Sequence, residues 1–228
     1  MKAVDLDGMI PEYAESLTLD PWDETGEIPL FGEHTHILSR CLFESHGRNV
    51  DGLVPVLYDE RKDFRDYVHR ELELLAKVGG LAAQVHDGKG VVFEMGGALA
   101  FPSHTFALLT GYPAINIDKS GEEITRASIL SDKLNVPVAH IRREAKGYFG
   151  KAGISSDSII IVTHPDQAVN QYWKELVKKH DFTFIGTGFD KNQPIEPIIE
   201  EHFAANGYKV ITGRTRFDEN RYVFLARK

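Results

Sequence analysis

Two short apolar runs that each end in an acidic residue most constrain the fold of this 228-residue chain. The first covers residues 90–94 and leads into Gly96 and Gly97, and the second covers residues 114–118. A short apolar stretch with helical character lies between them. The order strand, glycine turn, helix, strand and acid is typical of parallel α/β sheets that bind ligands at the carboxyl ends of their strands.

The residue types at this turn indicate the class of ligand. Glycines let the backbone approach a ligand closely, because a Cβ there would collide with it. Asp118, at the end of the second run, can accept hydrogen bonds from both ribose hydroxyls, which favours adenosine without a 2′-phosphate. Taken with Glu94, this arrangement predicts an adenosine pocket. A plain strand-to-helix turn is the alternative for Gly96 and Gly97 alone.

Further patterns extend the α/β order from residue 60 onward. Helical periodicity predicts a helix that begins at Glu60 and ends at Gly79-Gly80, with a shorter helix over residues 81–86. A capping box, Ser120 with Glu123, begins a helix that runs to about residue 134. The remaining predicted parallel strands are 136–141 (an edge strand, because of its proline), 158–162 (a central, fully buried strand) and 182–186.

The carboxyl-terminal pattern separates two related folds. A helix over residues 194–205 is followed by apolar runs at 208–212 and 221–226 with no helix between them. Two consecutive strands without a crossover form a hairpin, so one of them runs antiparallel. NAD-binding sheets usually continue β-α-β to their end, which disfavours an NAD-linked oxidoreductase. The predicted fold is α/β and Rossmann-like, with a seven-stranded, mostly parallel sheet and a C-terminal antiparallel hairpin.

Charge and cysteine content bound the remaining possibilities. The net charge is −8, and residues 1–33 hold nine acids against Lys2 alone, so the remainder has 25 acids and 25 bases. Without a basic face, nucleic acid is not expected as a partner. The one cysteine excludes an intrachain disulfide, and the histidines at 34, 36 and 46 lack a fixed scaffold, so no metal site is predicted. No signal peptide or membrane span is evident, and a cytoplasmic location, without membrane contact, is expected.

Residues 60–228 resemble the class I S-adenosylmethionine-dependent methyltransferases in element order. Glu94 and Gly96 match the acid and first glycine of that fingerprint, and Asp118 matches the ribose-binding acid. Ala98 and Ala100 stand where the family has later glycines. The resemblance implies S-adenosylmethionine as cofactor, with residues 1–57 as an acidic N-terminal extension or lid and 58–228 as the cofactor-binding domain. The cofactor residues it implies are Glu94, Gly96, Gly97, Ala98, Asp118, Lys119, Arg142 and Thr163.

Three residues are candidates for the chemistry. His164 follows the fourth parallel strand, where the family places substrate-facing residues, and can act as a general base. Tyr172 can orient an acceptor, and Tyr58 resembles an aromatic residue that covers the cofactor, where its ring face would stabilise the sulfonium. The alternative for His164 is an incidental position in a turn whose helix is capped by Asp166 or Thr163.

The resulting prediction is methyl transfer to a small molecule by a chain compatible with a homodimer. A local similarity to nicotianamine synthases, at residues 97–103 and 116–120, keeps a second reaction open. In that reaction the aminobutyryl arm of the cofactor is transferred or cyclised and methylthioadenosine is released. A non-catalytic adenosine-binding module is the third alternative.

Overall fold

A computed structural model describes residues 62–187, 198–215 and 218–228, and every structural statement below concerns these residues. Residues 1–61, which contain the predicted extension or lid and Tyr58, lie outside them. The helices are α1 (Lys62–Val85), α2 (Phe101–Thr110), α3 (Gly121–Leu134), α4 (Ala145–Phe149) and α5 (Gln167–Lys179), with a π-helical turn at Ile199–Phe203 and a 3-10 turn at Ala204–Asn206. The strands are β1 (Val92–Met95), β2 (Ala114–Asp118), β3 (Val138–Arg142), β4 (Ile159–Thr163), β5 (Thr183–Thr187), β6 (Lys209–Thr215) and β7 (Asp218–Arg227).

These strands form one seven-stranded sheet in the order β3-β2-β1-β4-β5-β7-β6. The first five are parallel, whereas β7 is antiparallel to both β5 and β6. The predicted fold class and the terminal hairpin are therefore confirmed. β3 lies at the edge and β4 lies between β1 and β5, as the proline in one run and the unbroken β-branched composition of the other indicated.

Helices cover both faces of the sheet, and each face has its own apolar core. On one face Trp173 of α5 stacks on Phe203, with ring centroids 5.3 Å apart, over Phe184 of β5. On the other face α1 and α2 pack through residues that include Val78 and Phe106. Burial on both faces leaves the strand ends as the place where polar side chains gather.

The first helix differs from the prediction. It continues through Gly79-Gly80 to Val85, so the expected stop and the second short helix are wrong. A Cβ on Gly79 would lie 2.4 Å from the carbonyl oxygen of Pro102 and 2.6 Å from the Cβ of Thr105. Gly79 therefore serves close packing of α1 against α2 rather than termination.

Most other boundaries agree to within two residues, but the hairpin strands are longer than predicted: β6 ends three residues later and β7 begins three residues earlier. β2 and α3 have the predicted bounds, and Ser120 Oγ accepts a hydrogen bond from the backbone N–H of Glu123 at 3.3 Å, as the capping box requires. The predicted helix over 194–205 falls partly outside the described residues, and its described part consists of the π-helical and 3-10 turns ended by Gly207. Within the described residues, no helix combines the length and apolar character needed to cross a membrane.

Candidate functional site

A cavity of about 370 Å³ lies at the carboxyl edge of the parallel strands. It is bounded by the turn after β1, the end of β2, the segment joining β3 to α4, and the segment joining β4 to α5. Its size falls in the range of small-molecule and cofactor pockets, about 300–1,000 Å³. Its lining residues are Gly96, Ile117, Asp118, Lys119, Arg143, Glu144, Ala145, Lys146, His164, Asp166, Ala168, Val169, Gln171, Tyr172 and Glu175.

The turn after β1, residues 96–100, approaches this cavity in an unusual backbone conformation. Gly96 has φ +68°, and a Cβ there would lie 3.0 Å from Cγ2 of Val169 on the cavity wall. Ala98 and Ala100 also have positive φ, at +45° and +58°. The left-handed conformation costs a non-glycine residue roughly 1–2 kcal/mol, so the surrounding contacts must hold this turn in place.

Glu94 lies directly beneath the turn and is completely buried. Its Oε2 accepts a hydrogen bond from the backbone N–H of Ser103 at 2.9 Å, in the first turn of α2. This contact substitutes for a helix cap, because the N-cap residue Ala100 has no polar side chain. Burial raises the pKa of Glu94 to about 8, against the opposing effect of the Ser103 hydrogen bonds. Its Oε1 has no hydrogen-bond partner among the described residues, and a Cβ on Gly97 would lie 2.6 Å from it.

Asp118 joins the end of β2 to the turn. Its Oδ2 accepts a hydrogen bond from the backbone N–H of Ala98 at 3.0 Å, and its Oδ1 accepts one from the N–H of Ser120 at 2.7 Å. A carboxylate offers about four acceptor positions, so two remain for a ligand. Asp118 therefore has a structural role in addition to the predicted ribose contact.

An ion pair connects the ends of β2 and β4. Lys119 Nζ lies 2.6 Å from Oδ2 of Asp166, and both side chains are largely exposed. The other oxygen of Asp166 accepts the N–H of Val169 at 2.8 Å and caps α5. These hydrogen bonds lower the pKa of Asp166, that from Lys119 most. Since β1 lies between β2 and β4, the pair lies across the β1 end of the cavity.

His164 occupies the start of the β4–α5 segment. It is exposed, lines the cavity and has φ +46°, and its backbone N–H donates to the carbonyl of Thr187 at 3.1 Å. The alternative that Asp166 caps α5 is confirmed, while Thr163 is buried within β4. The left-handed backbone of a histidine at a cavity edge is a strained arrangement of the kind that concentrates at functional sites.

Tyr172 lies on the α5 wall, half-buried, with its ring centroid 6.4 Å from that of Phe149. Burial, and then the charge of Glu175, raise the pKa of its hydroxyl above the ordinary value of 10.0. The phenol is therefore un-ionised at neutral pH and acts there as a hydrogen-bonding group.

The predicted residues separate into three groups. Gly96, Asp118, Lys119, His164 and Tyr172 line the cavity. Glu94, Gly97, Ala98, Thr163 and Arg142 are not among the lining residues, and the guanidinium of Arg142 lies against Gly121 at the start of α3. Tyr58 lies outside the described residues.

Several lining residues were missed by sequence reasoning. The nearest signal was the Arg142-Arg143-Glu144 run, where the structure places Arg143 and Glu144 at the cavity and Arg142 away from it. Strand periodicity could have found this difference, since successive side chains of a strand point to opposite faces. Residues on one face of α5, such as Val169 and Gln171, also line the cavity. Their position depends on how α5 crosses the end of the sheet, which the sequence pattern does not specify.

The strand order, the parallel core and the terminal β5-β7-β6 arrangement define the fold class. They are those of class I S-adenosylmethionine-dependent methyltransferases, and solved structures of such enzymes match the chain over most of its length. No family model matches the sequence, and no curated protein does either.

Three of the similar structures illustrate the range of that class. Magnesium protoporphyrin IX methyltransferase (ChlM) from Synechocystis PCC 6803, with bound S-adenosylmethionine, has a TM-score of 0.59 at 14% identity, covering 83% of this chain and 97% of that chain. TrmK from M. capricolum, with S-adenosylhomocysteine, has a TM-score of 0.52 at 11% identity, covering 66% of each chain. Ribosomal protein L11 methylase from Lactobacillus delbrueckii subsp. bulgaricus has a TM-score of 0.50 at 18% identity, covering 68% and 79%. The predicted cofactor agrees with the molecules bound in the first two.

These neighbours correct the prediction about partners. They include RNA methyltransferases and a ribosomal protein methylase, so the exclusion of nucleic acid and the restriction to small molecules are wrong. The error has a physical cause. The prediction rested on the charge balance of the chain after residue 33, which is neutral overall, but such a sum does not describe local charge: Lys119, Arg143 and Lys146 lie at the cavity edge beside its carboxylates.

Proposed function

We propose that this protein is an S-adenosylmethionine-dependent methyltransferase whose cofactor occupies the cavity at the carboxyl ends of β1 and β2. One observation carries the proposal: Gly96 and Asp118 line the same cavity, at the ends of adjacent strands, in a sheet of methyltransferase topology. A close backbone approach and a carboxylate acceptor are what an adenosine with free ribose hydroxyls requires.

The residues present fit this group. Asp118 retains acceptor positions for ribose hydroxyls after its two backbone hydrogen bonds. Gly96 keeps the cavity wall clear, since a side chain there would meet Val169. Beneath the turn, Oε1 of Glu94 has no hydrogen-bond partner among the described residues, and this buried carboxyl group suits a polar group that arrives with ligand or water.

When bound, S-adenosylmethionine supplies an electrophilic methyl group on a sulfonium, so the protein chiefly has to hold an acceptor in line with it. His164 is our candidate for taking the acceptor's proton, because its imidazole is exposed at the cavity and can serve as a general base. Tyr172 would orient the acceptor through its un-ionised hydroxyl. Both belong to the same segment, β4 to α5, which would place acceptor recognition on that side.

The first test is binding followed by product analysis, with the full chain. Isothermal titration calorimetry should detect S-adenosylmethionine and S-adenosylhomocysteine, with no binding of NAD at the same concentration. Turnover is then sought with acceptors of the classes seen in this fold, small molecules, RNA and protein. Formation of S-adenosylhomocysteine supports methyl transfer. Formation of methylthioadenosine would instead indicate aminobutyryl transfer. The proposal would be overturned if the protein bound neither S-adenosylmethionine nor S-adenosylhomocysteine.

A matched pair of variants tests the placement of the ribose. Asp118→Asn removes the charge but leaves one acceptor oxygen, and we expect it to weaken S-adenosylhomocysteine binding by about tenfold or more. Asp132→Asn changes an exposed carboxylate on α3 outside the cavity and should leave affinity unchanged. Equal affinities of the two variants would remove Asp118 from the site.

A further inference from the structure

We propose that Asn116 is a positioning residue that holds the strained turn over residues 96–100 in its cofactor-binding shape. Its side chain is fully buried and does not line the cavity, so it acts through Ala98. This inference rests on the proposed function for its binding readout, while a second readout concerns the turn itself.

The peptide groups of Ala98 are held from both sides by one strand. Asn116 Nδ2 donates to the carbonyl oxygen of Ala98 at 3.1 Å, and Asp118 accepts the Ala98 N–H. Positions 116 and 118 point to the same face of β2, because side chains alternate along a strand. The strand that carries the predicted ribose acid therefore also fixes the turn that faces it.

The turn needs such support because of its sequence. Ala98 has φ +45°, which an L-residue with a Cβ rarely adopts. A glycine at this position would adopt that backbone without strain. The two side-chain hydrogen bonds stabilise a backbone conformation that glycine would adopt without them.

A chain of buried and half-buried polar groups orients the Asn116 amide. Its Nδ2 also lies 3.4 Å from His140 Nδ1, His140 Nε2 lies 2.7 Å from Ser131 Oγ, and Ser131 Oγ lies 2.8 Å from His104 Nε2. One set of tautomers satisfies all these contacts, with each group donating to the next from Asn116 to His104. Burial lowers the pKa of both histidines, of His104 to about 3, so both are neutral as this set requires.

The orientation of the amide follows from these contacts. A reversed amide would place Oδ1 of Asn116 against the Ala98 carbonyl oxygen, two acceptors in contact. The donor therefore faces the turn. Side chains of β3, α3 and α2 thus belong to the network that holds the Ala98 peptide through Asn116.

The experiment is a rescue series measured by S-adenosylhomocysteine affinity. Asn116→Ala should weaken binding about tenfold, because the carbonyl oxygen of Ala98 loses its side-chain donor while the backbone strain of Ala98 remains. Adding Ala98→Gly should restore affinity to within about threefold of the Ala98→Gly single variant. Ala100→Gly is the matched control: Ala100 is equally left-handed, at φ +58°, but no contact with Asn116 supports it. Rescue by both glycines, or by neither, would overturn the assignment.

A second readout needs no ligand. Hydrogen exchange of the Ala98 amide, followed by NMR, should be about as slow as that of Ile117 in β2 and at least tenfold faster in Asn116→Ala. Unprotected exchange of the Ala98 amide in the wild-type protein would overturn the positioning role of Asn116, even if Asn116→Ala did not fold. Failure of the wild-type protein to bind S-adenosylhomocysteine, with a protected Ala98 amide, would instead overturn the proposed function alone.

Discussion

At the scale of single residues, unfavourable features gather around one point, the end of β1. Glu94 is buried there with a raised pKa, and two alanines next to it have left-handed backbones. Each feature opposes folding by itself, and three hydrogen bonds offset them: Asp118 accepts one from Ala98, Asn116 donates one to Ala98, and Ser103 donates one to Glu94. Such local conflict with otherwise consistent structure is characteristic of functional sites.

The pKa of Glu94 makes a prediction about stability and pH. The folded-state pKa is about 8, above the ordinary 4.5, so folding takes up a proton between these values. The stability that this group contributes is complete below about pH 4.5 and is lost as pH rises towards 8, at up to about 1.4 kcal/mol per pH unit. Glu94→Gln cannot ionise and should remove this dependence.

The measurement is urea unfolding at pH 5, 6, 7 and 8. The free energy of unfolding of Glu94→Gln should rise relative to that of wild type as pH increases. Glu144→Gln, at an exposed position on the cavity edge, is the control and should follow wild type. Parallel curves for wild type and Glu94→Gln would mean that Glu94 is not protonated in the folded protein.

A pair of glycines separates strain from steric blockage. Gly96→Ala and Gly111→Ala place a Cβ at nearly equal φ, +68° and +70°, and each should lower stability by about 1–2 kcal/mol. Only Gly96→Ala puts that Cβ against Val169 on the cavity wall, since Gly111 faces open space. S-Adenosylhomocysteine affinity, measured by calorimetry, should fall in the first variant and not in the second. A similar fall in both would assign the effect to stability.

At the scale of elements, the packing of α1 on α2 shows how a local signal is overridden. Paired glycines usually mark a helix end, yet α1 passes through Gly79-Gly80. The close approach of the Pro102 carbonyl to Gly79 explains the first glycine, whereas a Cβ on Gly80 would meet nothing nearer than 4.0 Å. Sequence alone could not distinguish these two, because the difference arises from a neighbouring helix.

The two glycines therefore predict opposite responses to the same change. Gly79→Ala should destabilise the protein by more than about 2 kcal/mol, since backbone of α2 must move. Gly80→Ala should stabilise it by roughly 0.5–1 kcal/mol through helix propensity. Thermal unfolding monitored by circular dichroism measures both. Equal effects of the two changes would contradict the packing of α1 on α2 described above.

At the scale of the whole molecule, strand order brings the site together. β1 lies between β2 and β4, so the glycine turn, the β2 acid and the β4–α5 segment meet at one edge although up to some 70 residues separate them in the chain. The terminal hairpin contributes to the sheet at its other side, where β7 pairs with β5. A ligand bound at the carboxyl ends of β1, β2 and β4 would therefore contact several elements at once.

This linkage predicts a global stabilisation by cofactor. At a concentration one hundred times its dissociation constant, S-adenosylhomocysteine should add about 2.7 kcal/mol. For a chain of this length that corresponds to a rise in Tm of roughly 5–10 °C. Differential scanning fluorimetry measures the shift, with NAD as the control ligand. A shift with NAD and none with S-adenosylhomocysteine would restore the oxidoreductase alternative.

The sequence by itself determined the fold class and indicated two strand ends that border the candidate cofactor site. Hydrophobic periodicity specified five parallel strands and a hairpin, and Glu94, Gly96 and Asp118 were recognisable because strand ends and tight turns are local properties. Only the tertiary structure decided that Gly79 packs against α2 rather than ending α1, and that Asn116 reaches Ala98. Each of these depends on a contact between elements distant in the chain, and local propensity carries no record of which elements become neighbours.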